Sequence, residues 1–269
     1  MKYIDSKKLP ETQFKRYTGI SWSTFYLMVE QLKMYVPAKG RPPKLSIEDQ
    51  IVLCLSYWRE YRTLFHVATS YGVLEPTASR IVRQVGDCFI KSNLFNLPKH
   101  LSEGEGIDWN GVIVEATEIP IQRPQKIESY SVKKKTHTFK VQAIIHDQTQ
   151  KILSLCSSHV AIHDFELFKR NLDQIPAGAF ILADTGYQGI YTVYPNSVLP
   201  LKVKKHCKLD PELKIYNQEI NKRRIGIEHV FGSLKTFKIL AERYRNGGKR
   251  LGLRFNLIGG IYNLELSEK

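Results

Sequence analysis

Two short runs constrain the fold most: Gly111-Val112-Ile113-Val114-Glu115-Ala116-Thr117 and Ala179-Phe180-Ile181-Leu182-Ala183-Asp184. Each is apolar at successive positions, rich in residues suited to strands, and runs into an acid. Such runs are covered on both faces, as central strands in a sheet with helices packed on it. Residues 138–146 alternate in polarity and end at the turn Asp147-Gln148, and residues 151–158 form a third strand, so the three make a meander. A helix is predicted over 165–172, and residues 216–237 show long helical periodicity. Three antiparallel strands, a helix and a further strand specify a mixed α/β sheet flanked by helices.

The first hundred residues read differently. Helical apolar spacing occurs over 14–19, 22–32 and 45–61, and Ser46 is placed to cap the third helix, with Glu48 and Asp49 in its first turn. The arm before it, Gly40-Arg41-Pro42-Pro43-Lys44, is kept extended by its prolines. Arg41 and Lys44 lie along phosphates or simply in a basic linker. Residues 63–83 hold a helix, a turn containing Gly72 and a second helix with Pro76 in its first turn. Val67, Ala68, Val73, Ile81 and Val82 are expected to form the core of this pair, leaving Thr77, Ser79, Arg80 and Arg83 outward. This is the pattern of a helix-turn-helix, whose second helix enters the DNA major groove, or of an ordinary helical hairpin. The segment 99–110, with two glycines and several charges, reads as a linker. The expected domains are therefore 1–104, helical and DNA-binding, and 105–269, with the sheet.

The 269 residues include 40 Lys+Arg against 26 Asp+Glu, a formal charge of +14, which favours a polyanionic partner. No apolar run is long enough for a membrane span or a signal segment, so a cytoplasmic, nucleoid-associated protein is expected. Cys54, Cys88, Cys156 and Cys207 are scattered, which excludes a disulfide scaffold and a cysteine zinc site.

Glu115 and Asp184 would sit on neighbouring strands, and Glu228 on the later helix. Three converging carboxylates suit two divalent cations about 3.5–4 Å apart. Solvated acids at strand ends are the plainer alternative. Arg224, Glu228, Phe231 and Lys235 fall on one helix face, beside a core stripe of Ile220, Ile227, Val230 and Leu234. The acid would ligand metal and the cations hold phosphate; an i,i+4 Arg–Glu surface pair is the other reading.

The segments VEATEIPIQRP (114–124), YSVKKKTHTFK (130–140), His163-Asp164-Phe165, Ala183-Asp184-Thr185-Gly186-Tyr187-Gln188-Gly189, RIGIEHVFGSLK (224–235), Tyr244-Arg245-Asn246 and Tyr262-Asn263-Leu264 together resemble the insertion-sequence-5 family of bacterial transposases. That family is related to Harbinger-type DDE endonucleases. The resemblance covers nearly the whole chain. It implies a ribonuclease H-like catalytic domain behind the helix-turn-helix domain, with Glu115, Asp184 and Glu228 as the metal-binding catalytic triad and two Mg²⁺ or Mn²⁺ ions. It further implies double-stranded DNA as partner and at least a homodimer in the synaptic complex. Contacts to DNA are expected from Arg41, Arg123, Lys133, Lys134, Lys135, Arg224 and Lys235, besides the helix-turn-helix residues. The family has aspartate where this chain has Glu115, tyrosine where it has Asn221, and glycine where it has Val132. Glutamate moves the carboxylate by more than about an ångström, while Mg²⁺ demands near-ideal octahedral geometry. The expected function is thus a transposase that binds terminal inverted repeats and cleaves and joins DNA, with a catalytically impaired or silent DNA-binding copy as the alternative.

Overall fold

The computed structural model describes residues 1–35, 42–97, 111–122, 130–131, 134–158, 162–172, 175, 178–202 and 210–268. The expected 104/105 boundary lies outside the described residues, as do Arg41, Arg123, Val132, Lys133 and Cys207. The chain divides into two compact units. One comprises residues 1–96, 233–243 and 253–269, and the other residues 97–232 and 244–252.

In the first unit the helices are α1 (Tyr3–Ser6), α2 (Glu11–Thr18), α3 (Trp22–Tyr35), α4 (Ile47–Glu60), α5 (Leu64–Tyr71) and α6 (Glu75–Lys91). Phe14, Phe25, Met28, Leu32, Ile51, Leu55 and Trp58 are fully buried, and Phe14 stacks on Trp22 with ring centroids 3.5 Å apart. As expected, Ser46 caps α4, accepting from the Asp49 amide at 3.1 Å. Thr63 caps α5 through the His66 amide, and α5 stops at Gly72, whose φ of +67° favours glycine. The Val73 amide donates to the Ala68 carbonyl, closing the turn, and Pro76 opens α6. Val67, Ala68, Ile81 and Val82 are buried between the helices, whereas Val73 is only half-buried. The turn exposes one side of Val73, so it belongs to the rim of this core.

The last part of the chain returns to this unit in the later residues of helix α9, which spans Leu251–Ser267. Two contacts explain the fit. Arg254, 5% exposed, lies over the Trp58 ring at 5.0 Å, where Gly86 leaves room: a Cβ there would stand 2.5 Å from the guanidinium. Glu265 accepts from Ser21 and Thr24 hydroxyls and the Ser21 amide, and pairs with Lys15.

The second unit is built on a mixed sheet of β1 (Val112–Pro120), β2 (Tyr130–Ser131), β3 (Thr136–His146), β4 (Ile152–Ser158), β5 (Ile181–Ala183) and β6 (Ser197–Val198). Its order is β4-β3-β1-β5-β6, with β2 pairing the start of β3. The meander β1, β3, β4 is antiparallel, and β5 and β6 run parallel to β1. This is the ribonuclease H-like arrangement. One face buries Val112, Val114, Ile144, Ile181 and Ala183 against Phe168 of α7 (Asp164–Lys169) and against Tyr187 and Ile190 of the 3₁₀ turns after β5. Helix α8 (Pro211–Lys235) buries Ile220, Ile227, Val230 and Leu234, as the stripe in its sequence predicts. Arg223 of α8 pairs with Asp147 in the β3–β4 turn.

Candidate active site and helix-turn-helix

Strand β1 does not end at Glu115. It continues to Pro120 because Ala116–Pro120 stay paired with β3, so Glu115 stands mid-strand, opposite Ala143. Side chains alternate along a strand. Val112 and Val114 fill the core on the α7 side, so Glu115 points to the opposite face. Parallel pairing aligns Val114 with Ala183 and therefore brings Asp184, the next residue, beside Glu115. From α8 the Arg224 guanidinium donates to Glu115 Oε2 at 2.9 Å, and Glu228 follows one turn later, exposed. The Glu115 and Arg224 side chains are only 17% and 14% exposed, so this pair is largely withdrawn from water.

The charge state of Glu115 reports the convergence. Burial pushes its carboxyl up to about 7, Arg224 pulls it down, and the negative charges of Glu228 and Asp184 push it up again. The Glu115 carboxyl thus feels the charges of both other acids and of the half-buried Arg224 guanidinium. This donor set suits a hard divalent cation. The side chains do not close round one as placed: among the described residues, no three His, Cys, Asp or Glu side chains are gathered to hold a metal ion. Glu115 is turned onto Arg224 instead.

A second charged cluster stands behind Asp184. The Lys140 amine, on a side chain 10% exposed, donates to Asp164 Oδ1 and to the Ile162 carbonyl, each at 2.6 Å, and lies 3.5 Å from Glu118 Oε1. Gln142 donates to the Asp164 carbonyl at 3.2 Å and lies 2.9 Å from the Tyr187 hydroxyl. Asp184 Oδ1 accepts from the Gly186 amide. A Cβ on Gly186 would stand 2.8 Å from Asp184 Oδ1 and 3.4 Å from Asp164 Oδ2, so only glycine lets the turn close on both acids.

The family profile described as "DDE superfamily endonuclease" matches residues 114–254. The chain belongs to the DDE superfamily of endonucleases. A second profile, "Helix-turn-helix of DDE superfamily endonuclease", matches residues 43–93, which contain α4, α5 and α6. A protein of Microchaete diplosiphon described as "Probable transposase for insertion sequence element IS702" is 42% identical over 276 residues, covering all of both chains. A second relative, assigned to insertion sequence element IS112 of Streptomyces albus G, is 24% identical over 234 residues, covering 85% of this chain and 84% of its own. No solved structure matches.

The remaining residues singled out by sequence fall as follows. Arg80 and Arg83 are exposed on α6, while Thr77 and Ser79 are half-buried, and Arg80 lies 3.3 Å from the Thr77 hydroxyl. Lys134 and Lys135 are exposed ahead of β3. Lys44 donates to the Gly72 carbonyl at 2.6 Å, so its ammonium braces the turn between α5 and α6. On α8 the expected face divides: Phe231 is buried, Arg224 and Lys235 are half-buried, and only Glu228 is exposed. Arg224 hydrogen-bonds a strand acid, which is neither of the two readings of the Arg224–Glu228 spacing. For His163-Asp164, the acid enters a structural hydrogen bond. Sequence reasoning missed Lys140 and Gln142 as site-building residues. The available signal was their spacing: polar residues at every second position of an otherwise apolar strand, on the face that carries the core. Among the described residues no helix is long and apolar enough to cross a membrane.

Proposed function

We propose that this chain is a transposase of the insertion-sequence-5 type. It binds the terminal inverted repeats of its element through α5 and α6, and cleaves and joins DNA at the site formed by Glu115, Asp184 and Glu228. The observation that carries this reading is the register of β1 against β5. It sets Asp184 beside Glu115, whose carboxyl also feels the charge of Glu228 on α8. The reaction is a hydrolysis that breaks a phosphodiester bond and frees a 3′-hydroxyl. That hydroxyl then attacks a phosphodiester of the target, whose own 3′-oxygen leaves. Glu115, Asp184 and Glu228 would hold two Mg²⁺ or Mn²⁺ ions, which when bound acidify the attacking hydroxyl and offset charge on phosphate oxygens. Arg224, adjacent to the acids, is placed to pair with phosphate. Joining two element ends calls for at least two copies of the chain on double-stranded DNA, and work on chromosomal DNA places the protein in the bacterial cytoplasm.

The test is Mg²⁺- or Mn²⁺-dependent cleavage of end-containing DNA by the wild type, Asp184→Asn, Glu228→Gln and Glu115→Asp proteins. Loss of cleavage by about 100-fold or more in the first two variants is expected; full cleavage by either removes the triad assignment. One observation favours a second reading, a silent DNA-binding copy. The glutamate arm at 115 reaches Arg224 and is held there. Cleavage by Glu115→Asp alone would identify the chain as that copy.

A further inference from the structure

A cleft of about 690 Å³ opens beside Asp184, and its wall includes Tyr130, Ser131, Thr185, Gln188 and Lys202. Its volume falls within the roughly 300–1,000 Å³ typical of small-ligand sites. Its chemistry is mixed. Tyr130 is 44% exposed and meets the His137 ring edge-on at 5.5 Å, in register with it across the β2–β3 pair. The ring is thereby fixed while much of it stays open. Lys202 is exposed. The other lysine of the wall, Lys140, is already engaged by Asp164 and Glu118. Hydroxyl and amide side chains of Ser131, Thr185 and Gln188 supply donors and acceptors. An aromatic platform, a cation with no ion pair among the described residues and neutral hydrogen-bonding groups are the components that bind a single-stranded nucleotide.

We propose that this cleft takes one unpaired nucleotide of a DNA strand whose neighbouring phosphate lies at Glu115 and Asp184. The base stacks on Tyr130 and the backbone phosphate pairs with Lys202. This rests on the DNA-cleaving reading above, and it adds that the strand is locally unpaired where it meets the acids.

The experiment uses the full chain in EDTA, so that cleavage plays no part. The probes are a blunt DNA duplex, the same duplex with a short single-stranded 3′ overhang, and the overhang duplex carrying 5-iododeoxyuridine in the overhang for photocrosslinking. Wild type is expected to bind the overhang duplex more tightly than the blunt one and to crosslink at the peptide containing Tyr130. Tyr130→Ala is expected to lose the overhang preference by about tenfold and to lose the crosslink, while Tyr130→Phe keeps both. Lys202→Gln weakens the overhang preference and flattens its salt dependence. Binding of the blunt duplex stays unchanged in all three. Crosslinking elsewhere in wild type, or a full overhang preference in folded Tyr130→Ala, overturns the proposal. So does displacement of the overhang by equimolar free thymidine monophosphate, which would make a free nucleotide the ligand. If the crosslink forms at Tyr130 but the metal-loaded protein cuts no DNA, the nuclease reading falls and the nucleotide site stands.

Discussion

Replacing Glu115 by glutamine is expected to stabilise the metal-free protein at alkaline pH. In the fold the Glu115 carboxyl titrates at about 7 instead of 4.5, because burial and the charges of Glu228 and Asp184 outweigh the help of Arg224. The folded state therefore holds this proton more tightly than the unfolded chain. Linkage gives the sign: folding stability contributed by this group is constant below about 4.5, falls as pH rises towards about 7, and is constant again above it. The full displacement corresponds to roughly 3 kcal/mol, and the remaining solvent exposure of the group reduces that to roughly 2 kcal/mol. Glutamine mimics the protonated form and keeps a carbonyl oxygen for Arg224. In EDTA, urea denaturation at pH 9 should show Glu115→Gln more stable than wild type by about 2 kcal/mol. At pH 4 the two should be equal within error. A variant less stable than wild type at pH 9, or a difference that does not change with pH, refutes the electrostatic account of the site. A change in the urea dependence itself would show instead that the variant's unfolded or native state differs in compactness.

Three further outcomes follow from contacts elsewhere. Gly260→Ala would place a Cβ 2.2 Å from the Phe95 carbonyl oxygen, so α9 must shift, and thermal unfolding should reveal a loss of roughly 3 kcal/mol or more; an unchanged midpoint contradicts that packing. Lys140→Met leaves Asp164 and Glu118 without their shared cation, and a loss of about 3–5 kcal/mol is expected by chemical denaturation at pH 8. Arg80→Ala and Arg83→Ala should each weaken duplex binding, with the salt slope reduced by about one where the lost contact is to phosphate; titrations over a range of salt read both.

Strands β1, β3, β4 and β5 were legible because each is an apolar or alternating run bounded by turns and because the meander is local; β2 and β6, two residues each, are too short to leave such a run. The helix-turn-helix was legible for a similar reason: a glycine at the end of α5 and a proline at the start of α6 act within a few residues. Boundaries were less so. Strand β1 runs beyond Thr117 to Pro120 because β3 continues to pair with it, and α7 stops at Lys169, short of residue 172. The return of α9 to the first unit left no mark in local pattern. It depends on Arg254 meeting Trp58 and on Glu265 gathering Ser21, Thr24 and Lys15, residues remote in sequence.

The candidate site shows the same division more sharply. Helical spacing gives which residues of α8 share a face, and from it Arg224 pairs with Glu228 or with phosphate. The partner found is Glu115, 109 residues away, because which face of α8 meets the sheet is decided by Ile227 and Val230 going inward. That alters what the glutamate at 115 means. From sequence, its difference from aspartate is one of reach towards a cation. In the fold, reach brings the carboxylate to a guanidinium that offsets part of the repulsion from Asp184 and Glu228. An aspartate at the same mid-strand position has a shorter arm to Arg224 and would leave that repulsion less relieved, so the substitution changes the charge balance of the site as much as its geometry.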